Sequence, residues 1–90
     1  MKFYYVYALL LKNDQFYVGL TADLLRRESE HCRGKVRSTR IYRPLKLIYY
    51  EAYLDKIDAE RRERYFKTTK GKRVLKLHLK SFLGRGTKVA

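Results

Sequence analysis

The chain has one cysteine, Cys32, one proline, Pro44, no tryptophan and few acids. A lone cysteine excludes an internal disulfide and fits a reducing, cytoplasmic setting. It also excludes the cysteine-rich zinc modules, and His31 and His78 lie too far apart for a zinc-protease helix. No apolar run approaches the length of a bilayer span, and the first residues lack the pattern of a secretory signal. A soluble protein with no membrane partner is the expectation. Asp and Glu number nine against 22 Lys and Arg, which gives a net charge of +13. Residues 64–90 carry nine basic side chains and no acid. Such a field attracts a polyanion, most simply nucleic acid; the alternative is a basic surface that serves only solubility.

What is present fits one small domain. Ninety residues leave no room for a second core, and 46% hydrophobic content is ordinary for a globular chain. Tyrosine supplies nine of the aromatic residues against four phenylalanines, which suits positions half in the core and half in a wet groove.

Residues 3–11 read as a buried strand, 12–15 as a turn, and Phe16 to Leu20 as a second strand completing a hairpin. Thr21 or Asp23 begins a helix that runs to about Arg33 and stops at Gly34. A basic loop over 33–43 follows, closed by Pro44, and Leu45 to Tyr53 form the third strand. Asp55 or Asp58 opens a second helix reaching about Thr69, where Gly71 breaks it. A last helix from Lys72 to Leu83 sets Leu75, Leu79, Phe82 and Leu83 on one stripe, and a basic tail over 84–90 follows the domain at 1–83. The order β-β-α-β-α-α predicts an α+β fold with a three-stranded antiparallel sheet flanked by helices.

Strand alternation puts Tyr5 and Tyr7 on one face and Tyr17 and Gly19 on one face of the next strand. Arg27 and His31, one helical turn apart, share a side of their helix. Tyr17 is an ordinary strand aromatic or, if a cation lowers its pKa, a general base; Gly19 beside it leaves space for a phosphate. Arg27 is a surface residue or a guanidinium fork for two phosphate oxygens. His31 is idle or a partner for a tyrosine hydroxyl. Glu63 shares a helical stripe with Ala59 and Phe66, so it needs either an arginine partner or a divalent metal. Asp58 and Glu60 are first-turn acids favoured by the helix dipole, Cys32 is a small helix filler, and His78 faces solvent without a role.

Tyr5-Val6-Tyr7, Tyr17-Val18-Gly19, Arg27, His31 and Glu63 together resemble the two half-motifs and following helices of the GIY-YIG nuclease superfamily, in its small stand-alone branch. Tyr42-Arg43-Pro44-Leu45 and Tyr49-Tyr50-Glu51-Ala52 resemble the third strand of that branch, and the likeness covers roughly residues 3–80. The resemblance implies the GIY-YIG fold and a DNA endonuclease that cuts one strand per active site. It implies that Tyr17 acts as base or orients water, that Tyr7 steadies the nucleophile and that Arg27 neutralises the scissile phosphate. His31 would assist proton transfer, and Glu63 would hold one Mg²⁺ or Mn²⁺. The chain departs from the pattern twice: Tyr5 stands at the namesake glycine, and Leu75 lies near the position of a later asparagine.

The expected substrate contacts are Tyr5, Gly19, Arg37, Arg40, Lys70, Lys72 and Arg73, with the basic residues gripping phosphates without reading bases. DNA, branched or damaged forms included, is expected ahead of RNA, and a monomer ahead of an oligomer, the sequence giving no clear oligomer interface. The alternative is a catalytically weak or inactive nucleic-acid-binding module on the same scaffold.

Overall fold

The computed structural model describes residues 1–85. β1 (Tyr4–Leu10) pairs antiparallel with β2 (Phe16–Thr21) on one side and with β3 (Lys46–Tyr53) on the other, giving the order β2-β1-β3. The hairpin closes through Asp14, whose φ of 66° is the left-handed conformation that aspartate tolerates. Asn13 Oδ1 accepts from the Gln15 N–H in the same turn. β1 is central and therefore buried on both faces, which explains its unbroken apolar run. Opposite it, β3 carries a bulge, since Ala8 pairs with Tyr49 but Leu9 with Leu47.

Helices cover both faces of the sheet. On one, Val6, Ala8, Leu10, Phe16 and Val18 pack against Ala59 and Phe66 of α2 (Lys56–Phe66) and Leu75 of α3 (Thr69–His78). Phe82 and Leu83 of α4 (Lys80–Gly84) border that core. On the other, Tyr7, Leu9, Leu11 and Leu45 form a smaller core bordered by Tyr17, Tyr42 and Leu24 of α1 (Leu24–Cys32). The sheet with helices on both sides is the architecture expected.

Local signals explain most boundaries. Asp23, rather than Thr21, caps α1 by accepting from the Arg26 N–H, and Asp55, rather than Asp58, caps α2 by accepting from the Ile57 N–H. Gly34, at φ +76°, ends α1 as expected, and its bare α-carbon leaves room for the Arg43 guanidinium.

The second half differs from expectation. α2 stops at Phe66 because Thr68 caps a new helix, accepting from the Gly71 N–H at 2.9 Å. Gly71 is thus inside α3 and breaks nothing: a Cβ there would lie 1.8 Å from the Tyr65 carbonyl oxygen, so its role is close helix contact. The segment read as a basic loop holds a short 3₁₀ turn, Arg40–Tyr42, and buries Val36 and Thr39. Gly84 ends α4 instead of opening a tail, and the remainder of the expected tail, 86–90, lies outside the described residues. Cys32 is the last residue of α1 and is exposed.

Candidate active site

Cross-strand register brings the tyrosines together. Tyr7 sits opposite Gly19, and Tyr17 opposite Leu9, so both phenols lie on the sheet face under α1. A Cβ at Gly19 would fall 2.4 Å from the Tyr7 hydroxyl oxygen and its ring carbon Cζ. The gap expected to admit a phosphate is therefore filled by the Tyr7 ring.

His31 closes over this pair from α1. It is fully buried, with its ring edge-on to Tyr17 at 5.1 Å and to Tyr7 at 5.7 Å between centroids. Its Nε2 lies 2.8 Å from the Tyr7 hydroxyl, and its Nδ1 2.8 Å from Oγ1 of Thr39, also fully buried. The Thr39 hydroxyl has the Val36 carbonyl 3.5 Å away as an acceptor, which favours the tautomer in which it receives the Nδ1–H and Nε2 accepts from Tyr7. A chain of hydrogen bonds thus runs from the basic segment to the tyrosine. Burial, and secondly the charge of Arg27, push His31 down to about 4, which keeps the imidazole neutral. Burial likewise pushes Tyr7 up to about 12. The Arg27 guanidinium beside its hydroxyl works in the opposite direction, while the fields of Tyr17 and Glu63 add to the rise.

Arg27 donates through Nη1 to Glu30 Oε1 at 3.0 Å. Its charged form is favoured first by that bond and next by Tyr7. With its side chain 36% exposed, it faces both the tyrosine and solvent.

Glu63 comes from α2, which packs on the sheet face opposite the one that carries Tyr7, Tyr17 and α1. Its side chain is 21% exposed and accepts from Lys67 Nζ, one turn on, at 3.0 Å. The arginine expected as its partner is absent; Arg62 instead pairs with Glu51 of β3 through Nε at 2.9 Å and Nη2 at 3.1 Å. Tyr49 and Tyr53 also donate to Glu51. Burial opposes ionisation of this carboxyl, but the four donors outweigh it and hold it below the usual carboxylate range. The network ties α2 to β3, and Arg62 lies over the Phe66 ring at 4.2 Å.

No group of three or more His, Cys, Asp or Glu among the described residues is arranged to hold a metal. Ions such as Mg²⁺ or Mn²⁺ keep several waters and use one or two carboxylates, and Glu63, part-exposed and paired with Lys67, is the carboxylate that could hold one.

The expected phosphate contacts divide between layers. Arg37 and Arg40 are exposed on the segment that carries Thr39, on the α1 side of the sheet. Lys70, Lys72 and Arg73 are exposed on α3, which packs on the other side. Tyr5 is half-buried two residues before Tyr7. His78 is exposed, 6.0 Å from the Tyr49 ring. Thr39, Glu30 and Lys67 escaped the sequence reading. The last two were visible as helical i,i+3 and i,i+4 partners of Arg27 and Glu63. Thr39 carries no local signal.

A sequence model of the GIY-YIG catalytic domain matches residues 3–76. Among curated proteins, a UPF0213 protein of Lactiplantibacillus plantarum is 43% identical over 70 residues, 74% of this chain and 69% of that one. A UPF0213 protein of Listeria monocytogenes is 35% identical over 65 residues, 71% of this chain and 72% of its own. The solution NMR structure of a UPF0213 protein from Bacillus halodurans superposes with a TM-score of 0.53 at 35% identity, covering 83% of this chain and 82% of that one.

Proposed function

The chain belongs to the GIY-YIG catalytic domain family, and on that premise we propose that it is a metal-dependent DNA endonuclease cutting one strand per site. The observation that carries the reading is the meeting of Tyr7, Tyr17 and His31 under α1, with His31 hydrogen-bonded to Tyr7 and Arg27 one turn away on the same helix; the part given to Glu63 rests on the family pattern. A structural role alone gives no reason to bury a histidine against two phenols and leave an arginine beside them.

Tyr17, at the edge strand β2, orients the attacking water and helps remove its proton. Tyr7 donates its proton to neutral His31 and is fixed in place, so its oxygen presents lone pairs toward the water. Arg27 carries the charge that develops on the phosphate oxygens. Glu63 holds the divalent cation, which when bound supplies Lewis-acid stabilisation of the departing oxygen. Lys67 neutralises Glu63 in the resting state and must yield the carboxylate to the cation.

Incubation of the protein with supercoiled and branched DNA in Mg²⁺ or Mn²⁺ tests the reading. Nicking that disappears in excess chelator, in Tyr17→Phe and in Glu63→Gln is the expected outcome. Cleavage that survives Glu63→Gln or chelation overturns the metal role.

Leu75 favours one second reading. It is fully buried in the α2–α3 core, so it offers no polar support near the position where the family pattern has asparagine. A nucleic-acid-binding module without catalysis would bind DNA in a salt-sensitive manner, cut nothing, and keep its affinity in Glu63→Ala.

A further inference from the structure

The sheet face that carries Tyr7 also carries a second group of aromatic rings that the proposed chemistry does not use. Tyr5 precedes Tyr7 by two residues on β1, and Tyr50 is the cross-strand neighbour of Tyr7 on β3. The Tyr5 and Tyr50 rings meet edge to face with centroids 5.9 Å apart, and Phe3 lies 6.4 Å beyond Tyr5. With Ala22, Asp23, Leu24 and Leu25, the two tyrosines wall a groove of about 340 Å³. Tyr50 is 53% exposed and Leu25 79% exposed, so the groove is an open apolar surface rather than part of the core.

Three properties define the occupant. The walls are aromatic and aliphatic, which suits the flat face of a nucleobase. Asp23 places a carboxylate in the groove, which repels phosphate and accepts from the exocyclic amines of bases. One of its oxygens already holds the Arg26 N–H at 3.1 Å, so the carboxylate is fixed in position. The net charge of +13 draws the polyanion itself to the surface, and two walls of the groove are strand neighbours of Tyr7, Tyr5 two residues before it and Tyr50 opposite it. A duplex keeps its bases stacked in its interior; only an unpaired base reaches such a wall.

We propose that this groove binds an unstacked base of single-stranded DNA next to the phosphate held at Arg27. The inference rests on the nuclease reading and sharpens it, since it selects DNA with a single-stranded, flapped or branched segment over intact duplex.

Fluorescence anisotropy in excess chelator, where nothing is cut, tests the groove apart from catalysis. The probes are a labelled single-stranded oligonucleotide, the blunt duplex of the same sequence, and the matching RNA strand. Wild type binds the single-stranded DNA more tightly than the duplex. Tyr50→Ala weakens the single-stranded complex about tenfold, as expected for one lost base stack. It leaves the duplex complex unchanged, and Tyr50→Phe restores binding because the ring is what matters. A second probe, 2-aminopurine within the strand, is quenched by wild type and not by Tyr50→Ala. Equal loss on both DNA forms, no loss at all, or tighter binding of RNA than of DNA overturns this inference alone. Absence of binding to every probe overturns it together with the nuclease reading.

Discussion

Tyr7 and Gly19 face each other across β1 and β2, and the phenol of one occupies the space where a side chain of the other would begin. The glycine is required by a neighbouring ring, not by its own backbone. Gly19→Ala puts a methyl group 2.4 Å from the Tyr7 hydroxyl and forces the ring away from His31. We expect stability to fall by about 1–3 kcal/mol, as for other overpacked sites, with circular dichroism unchanged. DNA cleavage falls at least tenfold while DNA affinity stays within twofold. A variant with full activity would separate Tyr7 from the chemistry.

His31 gives the fold a defined acid sensitivity. Its folded value near 4 lies below the usual 6.5, because burial penalises the imidazolium. Between those values the unfolded chain binds the proton and the folded one does not, so stability is lost as pH falls from about 6.5 toward 4. At pH 5 the loss relative to pH 7 is about 2 kcal/mol, at roughly 1.4 kcal/mol per pH unit. Urea titrations of wild type and His31→Gln at both pH values measure it. The variant should lack this dependence; equal acid loss in both proteins would assign it to the carboxylates instead.

Much of the site was legible in the sequence because it depends on short-range periodicity. The two-residue alternation of Tyr5, Tyr7, Tyr17 and Gly19 and the four-residue step from Arg27 to His31 fix which faces these residues occupy. What stayed hidden is what only the third dimension supplies. That the Gly19 gap serves Tyr7 depends on strand register. That Thr39 is fully buried depends on how a segment of arginines folds back over His31. The helix boundary at 66–69 was misread because glycine was given more weight than the Thr68 cap, although the capping hydroxyl is the local signal that decides it. Glu51 went unnoticed as a network centre because its four donors come from three positions up to 11 residues away.

Gly71 gives a test of that boundary. It lets α3 cross the end of α2 with its α-carbon against the Tyr65 carbonyl. In an isolated helix alanine would be the better residue by about 1 kcal/mol. Here Gly71→Ala must push the helices apart, and thermal or urea unfolding should show a net loss of about 2 kcal/mol or more. A gain in stability would mean that the helix contact relaxes freely.

The basic residues in the two layers predict distinct salt behaviour. Arg37 and Arg40 are exposed on the α1 side, and Lys70, Lys72 and Arg73 on α3. Each phosphate contact removed lowers the slope of log affinity against log salt by about 0.9. Arg37→Ala with Arg40→Ala should lower the slope by nearly two if both grip DNA. The triple neutralisation on α3 lowers it further only if the bound strand also reaches the far layer. Unchanged slopes in both sets would remove these side chains from the interface.

Thr39 tests whether the buried chain to Tyr7 positions the site or merely fills space. Thr39→Val keeps the volume and removes the oxygen, leaving the His31 Nδ1–H without a partner. The orphaned donor costs about 1–3 kcal/mol, which a structural role alone would also produce. The distinguishing readout is the pH profile of cleavage. Without Thr39 the tautomer with Nε2 protonated becomes available, and Nε2 then donates to Tyr7 instead of accepting from it. The phenol is freed to donate elsewhere, so the alkaline limb of the profile should shift in Thr39→Val. Thr39→Ser keeps the hydroxyl and should restore the wild-type profile even where it fails to restore full stability. If valine and serine variants share the wild-type profile, the hydrogen bond from His31 to Thr39 governs packing alone, and the orientation of His31 is set by the rings of Tyr7 and Tyr17.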